Sequence, residues 1–239
     1  MVTDNGKEFK VFECKLSMSE FQRLSSFIYD ELGIKLPEMK KVMLESRLQR
    51  RLRELGMNNF KDYIDYLFSK HGRDHEMVHM FDVVTTNKTD FFRENMHFEF
   101  MNQFIIKEVA NKNFINIWSA GCSSGEEPYT LAIVLSEAIE KGLITDFKIT
   151  ATDISTRILK MAVDAIYPIG RVEDIPLHIK KKYFLKSKDP HNPTVRVIPH
   201  LRNKISFERL NFMDDVYNIN QTFDIVFCRN VIIYFDHQT

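Results

Sequence analysis

Helical periodicity dominates the first third of the chain. Apolar residues at Phe21, Leu24, Phe27, Ile28 and Leu32 recur at the three-to-four-residue spacing of a buried helix face, and Gly33 ends the run. Ser19, three residues before Gln22, has the form of a capping box at its start. Pro37 opens a second predicted helix that closes near Gly56. Asn59 caps a third, carrying Phe60, Tyr63, Ile64 and Leu67, with Gly72 after it. A fourth periodic stretch, Met77 to Val84, runs into a polar segment at residues 85–90, and a linking helix is expected over residues 96–109.

Beyond that point strands and helices alternate. Phe114–Ala120 reads as a strand, Glu127–Glu140 as a helix, Phe147–Thr152 as a strand and Ser155–Ile166 as a helix. This order predicts an α/β fold with a parallel sheet covered by helices, and it places a boundary around residues 85–95. The stretch 167–210 is less regular, with short strands expected at Val195–Ile198 and Ile205–Phe207 around the polar turn Asp189-Pro190-His191-Asn192-Pro193. Asp224–Cys228 reads as a further buried strand.

Composition narrows the function classes. An apolar content of 44% supports a core, and 33 basic residues balance 33 acidic ones, so any basic surface is local and nucleic acid is not an expected partner. Cys14, Cys122 and Cys228 are far apart and in no ligand spacing, which argues against structural zinc and a disulfide framework; no metal is expected. Residues 1–7 contain no apolar targeting core, and no stretch has the length of a membrane span, so the chain is read as cytoplasmic, without direct membrane insertion.

The candidate chemistry lies where predicted strands end. The first strand runs into Gly121-Cys122-Ser123-Ser124-Gly125-Glu126-Glu127, a glycine-bounded turn that lets a ligand lie against backbone. A plain strand-to-helix turn would read the same way. Glu126 and Glu127 stand where a diphosphate would need bare amides, so a cationic or neutral cofactor fits better. Asp153 ends the second strand, placed either to accept from ribose hydroxyls or to cap the next helix, a task Ser155 can also perform. Cys228 to Phe235 brings polar groups past the last strand. The turn also satisfies G-x-S-x-G, the nucleophile elbow of α/β-hydrolases, with Ser123 as nucleophile and Asp214 and His237 downstream. Against that reading, the turn follows the first strand of its sheet, and no His-Gly oxyanion segment precedes it.

Four segments in order carry a more specific resemblance: Thr86–Glu94 (Thr-Asn-Lys-Thr-Asp-Phe-Phe-Arg-Glu), Trp118–Tyr129, Ala151-Thr152-Asp153 and Phe227–Phe235 (Phe-Cys-Arg-Asn-Val-Ile-Ile-Tyr-Phe). Together they resemble the chemotaxis receptor glutamate methyltransferases, the CheR family. The resemblance implies a small helical receptor-docking domain (residues 1–88) before a Rossmann-like S-adenosylmethionine-dependent methyltransferase domain (89–239) with a small antiparallel β-subdomain near 190–208. It implies methyl esterification of receptor glutamates, with S-adenosylhomocysteine as the other product, and a monomer. Asn87, Thr89, Arg93, Gly121, Glu127, Asp153, Asn211, Phe212, Arg229 and Asn230 would surround the cofactor, with Arg93 and Tyr234 nearest the methyl. A glutamate ionised at neutral pH needs no general base, so no histidine is required; the site must supply alignment and exclude water.

Two further expectations follow. From Ile34 to Gly56 seven basic residues face three acidic ones, and Leu44, Leu48, Leu52 and Leu55 share one face while Arg47, Arg50 and Arg53 step round the other. Beside the plain reading of a solvated face, the resemblance implies a docking surface for the cytoplasmic part of an acidic helical receptor. The chain closes at Asp236-His237-Gln238-Thr239, soon after the last predicted strand, and is expected to lack C-terminal strands of its sheet and with them much activity. A non-catalytic cofactor- or receptor-binding module is the alternative.

Overall fold

The computed structural model describes residues 14–109, 112, 114–237 and 239. Residues 1–7, read above for a targeting segment, lie outside the described residues. The chain divides into two compact units between Val84 and Thr85. No helix among the described residues is long and apolar enough to cross a membrane.

The first unit is helical: α1 (Met18–Leu32), α2 (Lys41–Leu55), α3 (Phe60–Phe68), α4 (Lys70–His75) and α5 (Met77–Val84). Its core is the predicted set of stripes: Phe21, Leu24, Ile28, Leu44, Leu48, Leu52, Phe60, Tyr63, Ile64 and Leu67 are all buried. The capping box lies two residues earlier than expected. Ser17 Oγ accepts from the Glu20 N–H at 3.2 Å, and the Glu20 carboxylate accepts from the Ser17 N–H at 2.8 Å. A glutamate at N3 is a stronger acceptor than Gln22 and suits the positive end of the helix, and buried Leu16 and Phe21 occupy the staple positions flanking that cap. Gly33 and Gly56 end α1 and α2 in the left-handed conformation.

Gly72 is a second departure, since it lies inside α4 rather than past α3. Ser69 closes α3 and opens α4, its hydroxyl donating to the Tyr66 carbonyl at 2.6 Å and accepting from the Gly72 N–H at 3.0 Å. That turn is so tight that a Cβ on Gly72 would stand 1.9 Å from the Tyr66 carbonyl oxygen. Behind it Glu76, 1% exposed, receives the Arg51 guanidinium through two bonds of 2.6 Å and the Tyr63 hydroxyl at 3.2 Å. This two-pronged contact offsets the cost of burying the carboxylate and ties α2 to the α4–α5 junction.

In the second unit the linking helix is present but interrupted, as α6 (Met96–Phe100), a π-helical turn (Met101–Ile105) and α7 (Ile106–Val109). There follow β1 (Ile115–Ala120), α8 (Glu126–Glu140), β2 (Phe147–Asp153), α9 (Thr156–Asp164), β3 (Ile166–Pro168), a 3-10 turn (Ile169–Val172), α10 (Leu177–Tyr183) and β4 (Phe184–Lys186). The unit continues through β5 (Thr194–Val197), α11 (Pro199–Arg202), β6 (Ile205–Arg209) and β7 (Ile225–Phe227). A parallel sheet has the order β6-β2-β1-β7, and a small antiparallel sheet the order β3-β5-β4. This is the expected α/β architecture with an antiparallel subdomain. Ile117 pairs across to Ile149 and Ile225, so the apolar runs of all-parallel strands form the centre of the core.

Three details differ from the sequence pattern. Ala165, at φ 53°, caps α9 and turns the chain, so Ile166 begins β3 instead of ending the helix. The strand at residues 205–209 joins β2 in the parallel sheet, and the partners of β5 in the antiparallel sheet come from residues 166–168 and 184–186. Lastly, β7 is only partly buried, with Val226 53% exposed, because among the described residues it pairs only with β1.

Gly72→Ala forces a side chain into a carbonyl and should lower the stability of the first unit by about 1–3 kcal/mol. Urea unfolding of both proteins checks this; an unchanged midpoint would show that the α3–α4 turn relaxes freely.

Candidate functional site

The crevice is built at the carboxyl ends of β1 and β2. After β1 the Gly121 and Cys122 N–H groups both donate to the Thr152 carbonyl, at 2.8 and 2.9 Å, and fold the turn back over the neighbouring strand. Gly121, Ser123 and Gly125 have φ of 80°, 49° and 95°. A Cβ on Gly121 would lie 2.3 Å from a Val231 methyl, and one on Gly125 would lie 2.9 Å from Ala162. Glycine is therefore required twice, by conformation and by close approach.

Asp153, 7% exposed, stands at the tip of β2 and accepts from the Ser123 N–H at 2.8 Å and the Ser155 N–H at 3.0 Å. The helix cap is Ser155, whose hydroxyl accepts from the Ile158 N–H at 3.2 Å. Asp153 is thus free of that task and instead locks the glycine turn to β2. Leu210 donates to the Asp153 carbonyl at 3.1 Å, which brings Asn211 and Phe212 beside the same strand end. The Phe212 ring belongs to an aromatic group with Trp118 at 6.3 Å, Tyr217 at 6.5 Å and Phe235 at 6.4 Å.

The segment 86–94 wraps against this turn. Ser123 Oγ donates to the Asn87 carbonyl at 3.3 Å, the Phe92 N–H donates to Thr130 Oγ1 at 3.1 Å, and Thr89 is buried. Phe92 and Glu94 have φ of 55° and 53°, and Arg93 between them donates to the Lys88 carbonyl at 2.7 Å. Past β7, Arg229 donates to the Arg93 carbonyl and approaches Glu94 at 3.3 Å, Glu127 at 3.4 Å and the Phe98 ring at 5.0 Å. Asn230, at φ 58°, donates to Glu94 at 3.1 Å.

The fold thus brings Asn87, Arg93, Gly121, Glu127, Asp153, Arg229 and Asn230 to one connected region. Tyr234 stands half-buried in a 3-10 turn (Ile232–Tyr234), its N–H donating to the Val231 carbonyl at 3.0 Å. Arg47, Arg50 and Arg53 belong to the first unit, where Arg50 and Arg53 are exposed while Arg47 is half-buried and donates to the Val84 carbonyl. The hydrolase reading finds no support: the Ser123 hydroxyl donates to the Asn87 carbonyl at 3.3 Å, and among the described residues no histidine is bonded to it.

A family model described as the SAM binding domain of CheR methyltransferase matches residues 87–239, and one described as the CheR all-alpha domain matches residues 19–85. The chain belongs to the CheR methyltransferase family. It is similar to the chemotaxis protein methyltransferase of Borreliella burgdorferi, 39% identical over 231 residues that make up 94% of this chain and 80% of that protein. The corresponding protein 2 of Pseudomonas aeruginosa is 37% identical over 95% of this chain and 80% of its own length. That of Escherichia coli is 36% identical over 94% and 77%.

S-adenosylmethionine is the cofactor of this CheR domain, and the residues present fit it. The glycine turn leaves backbone bare where side chains would collide with Val231 and Ala162. Arg229 Nε is buried without a partner, a spare donor suited to a carboxylate. Glu127, 13% exposed at its side chain, is pushed up to about 7 by burial, against the pull of the Ser119 hydroxyl at 2.8 Å and of Arg229. A carboxylate this poorly compensated suits a cationic ligand. Sequence reasoning missed Glu94, Ser119 and Arg171, and singled out Glu126 only for its charge beside Glu127. Glu94 lies inside a motif that was read for its arginine, whereas Arg171 is an isolated cation in the irregular stretch.

The raised Glu127 value has a consequence for the ligand-free protein. Folding holds this proton more tightly than the unfolded chain, where the group titrates near 4.5. Stability present below that unfolded value is lost as pH rises toward about 7, by about 3 kcal/mol. Urea unfolding between about pH 4 and 8 should show this decline in the wild type and a flatter profile in Glu127→Gln. Parallel profiles would mean that Glu127 is well compensated in the fold.

Proposed function

We propose that the chain transfers the methyl group of S-adenosylmethionine to glutamate side-chain carboxylates of chemotaxis receptors, giving methyl esters and S-adenosylhomocysteine. The names of the relatives support a role in chemotaxis. The observation that carries the substrate assignment is Arg93, in the segment that wraps the crevice, whose side chain is 31% exposed and no closer than 3.8 Å to its neighbour Glu94. A guanidinium open to the crevice can receive an ionised acid, which needs no general base to attack a methyl group.

When bound, the cofactor supplies an electrophilic methyl on a sulfonium centre. Glu127 would hold its ammonium group, Arg229 its carboxylate and Asp153 its ribose hydroxyls. Gly121 provides open backbone, and Asn87, Thr89, Asn211, Phe212 and Asn230 complete the enclosure. Arg93, 31% exposed at its side chain, steers the incoming glutamate, and Tyr234 forms a wall beside the methyl. Alignment and dehydration of the nucleophile then do the catalytic work, since misplacement by about 1 Å costs on the order of a hundredfold in rate. In the first unit Arg50 and Arg53, with Arg47 behind them, guide an acidic receptor helix in the cytoplasm.

The test uses the chain with tritiated cofactor and the soluble cytoplasmic part of a receptor. Label should enter the receptor and leave as volatile methanol under mild alkali, the behaviour of a carboxylate ester. Reversing Arg50 and Arg53 to Glu should slow labelling several-fold, as should added salt, through weaker steering. Alkali-stable label would overturn the glutamate assignment, and indifference to both charge and salt would overturn the docking surface.

A further inference from the structure

The glycine turn and the segment 86–94 carry half of the residues assigned to the cofactor, yet few bonds join them directly. Ser123 to Asn87 is long, and Phe92 to Thr130 is a single neutral bond. The strong links come from elsewhere. Arg171, in the 3-10 turn that follows β3 of the antiparallel sheet, donates through Nη1 to Asp90 Oδ1 at 2.7 Å and through Nη2 to both the Thr89 carbonyl and Glu126 Oε1. Glu126 is 1% exposed and is the first residue of α8, next to Glu127. Its second oxygen accepts from Ser124 Oγ at 2.6 Å, inside the glycine turn. Tyr167, on β3, donates to the Ser124 carbonyl at 2.7 Å, so the antiparallel sheet grips the turn at two points.

We propose that Arg171 is a positioning residue for the methyl transfer, holding the segment 86–94 and the glycine turn in register by bridging Asp90, Thr89 and the buried Glu126. The guanidinium suits this task because its planar fork serves three acceptors at fixed angles, which an ammonium group cannot do. Glu126 suits it because a buried carboxylate at a helix start cannot move toward water, so the arginine that satisfies it is held in turn. Residues 87–93 and 121–127 then reach the cofactor as one preformed surface instead of two adjustable ones. The inference rests on the cofactor site and not on the glutamate substrate, so a failure of receptor methylation leaves it standing.

The measurement is the affinity of the whole chain for S-adenosylhomocysteine, read by calorimetry and by the fluorescence of the single Trp118, alongside thermal melts. Arg171→Met leaves Glu126 buried and unpaired, and should both lower the melting temperature and weaken binding tenfold or more. Arg171→Met combined with Glu126→Gln removes the orphan charge and should recover most of the melting temperature, while binding stays at least tenfold weaker because the bridge is gone. Arg171→Lys should fall between. Lys182→Met, which breaks an exposed ion pair to Glu137 and Glu140 in the same unit, should leave affinity unchanged. Wild-type affinity in the double variant would overturn the proposal and reduce the pair to a structural one. A loss of affinity in Lys182→Met equal to that in Arg171→Met would overturn it as well, by showing that any broken ion pair has this effect.

Discussion

Two carboxylates, Asp153 and Glu126, are buried at the carboxyl end of one parallel sheet and a third, Glu127, is largely withdrawn from water beside them, and the need to satisfy each of them organises the rest of the second unit. An unpaired buried charge costs several kcal/mol, so Asp153, Glu126 and Glu127 each recruit a different kind of donor. Asp153 takes two backbone N–H groups and thereby fastens the glycine turn to β2. Glu126 takes a guanidinium and a hydroxyl and thereby fastens the antiparallel sheet to the same turn. Glu127 receives one hydroxyl and an arginine no closer than 3.4 Å. The first two find their donors within the fold. The third is left under-compensated, and in the proposed reading that shortfall is what a cationic cofactor makes good.

The backbone bears the cost of this arrangement. Phe92, Glu94, Ser123 and Asn230 all occupy the left-handed region without being glycine, a cost of order 1–3 kcal/mol each, and all four lie in the segments that meet at the crevice. What offsets it is the cross-bracing among them: Asn230 to Glu94, Arg229 to the Arg93 carbonyl and Ser123 to Asp153. The apolar sheet and α8 beneath provide a rigid base on which such strain can be held.

Much of this was legible in the sequence, for identifiable reasons. Helical stripes such as Leu44, Leu48 and Leu52, and the alternation of apolar strands with helices, report directly on burial, and burial decides the elements. Asp153 was legible in its place at the tip of β2, but its bonds to the Ser123 and Ser155 N–H groups were not. Contacts set by tertiary approach were not. Nothing near Arg171 marks it as the partner of a glutamate 45 positions away, and nothing near Ile205 shows that its strand pairs with β2 rather than with β5. Gly72 looks like a helix stop until the Ser69 double cap is seen. Likewise Arg47 shares its spacing with Arg50 and Arg53, and its half-buried place with a bond to the Val84 carbonyl sets it apart.

The most direct measurement is a carbon-13 NMR titration of the Glu127 carboxyl group, in the free protein and with S-adenosylhomocysteine bound. The expected result is a midpoint near 7 in the free protein, set by burial, that falls clearly toward the ordinary carboxylate value when the ligand ammonium arrives. A midpoint near 4.5 in the free protein, or one that the ligand leaves unmoved, would contradict the claim that this carboxylate is buried short of charge in order to receive a cation.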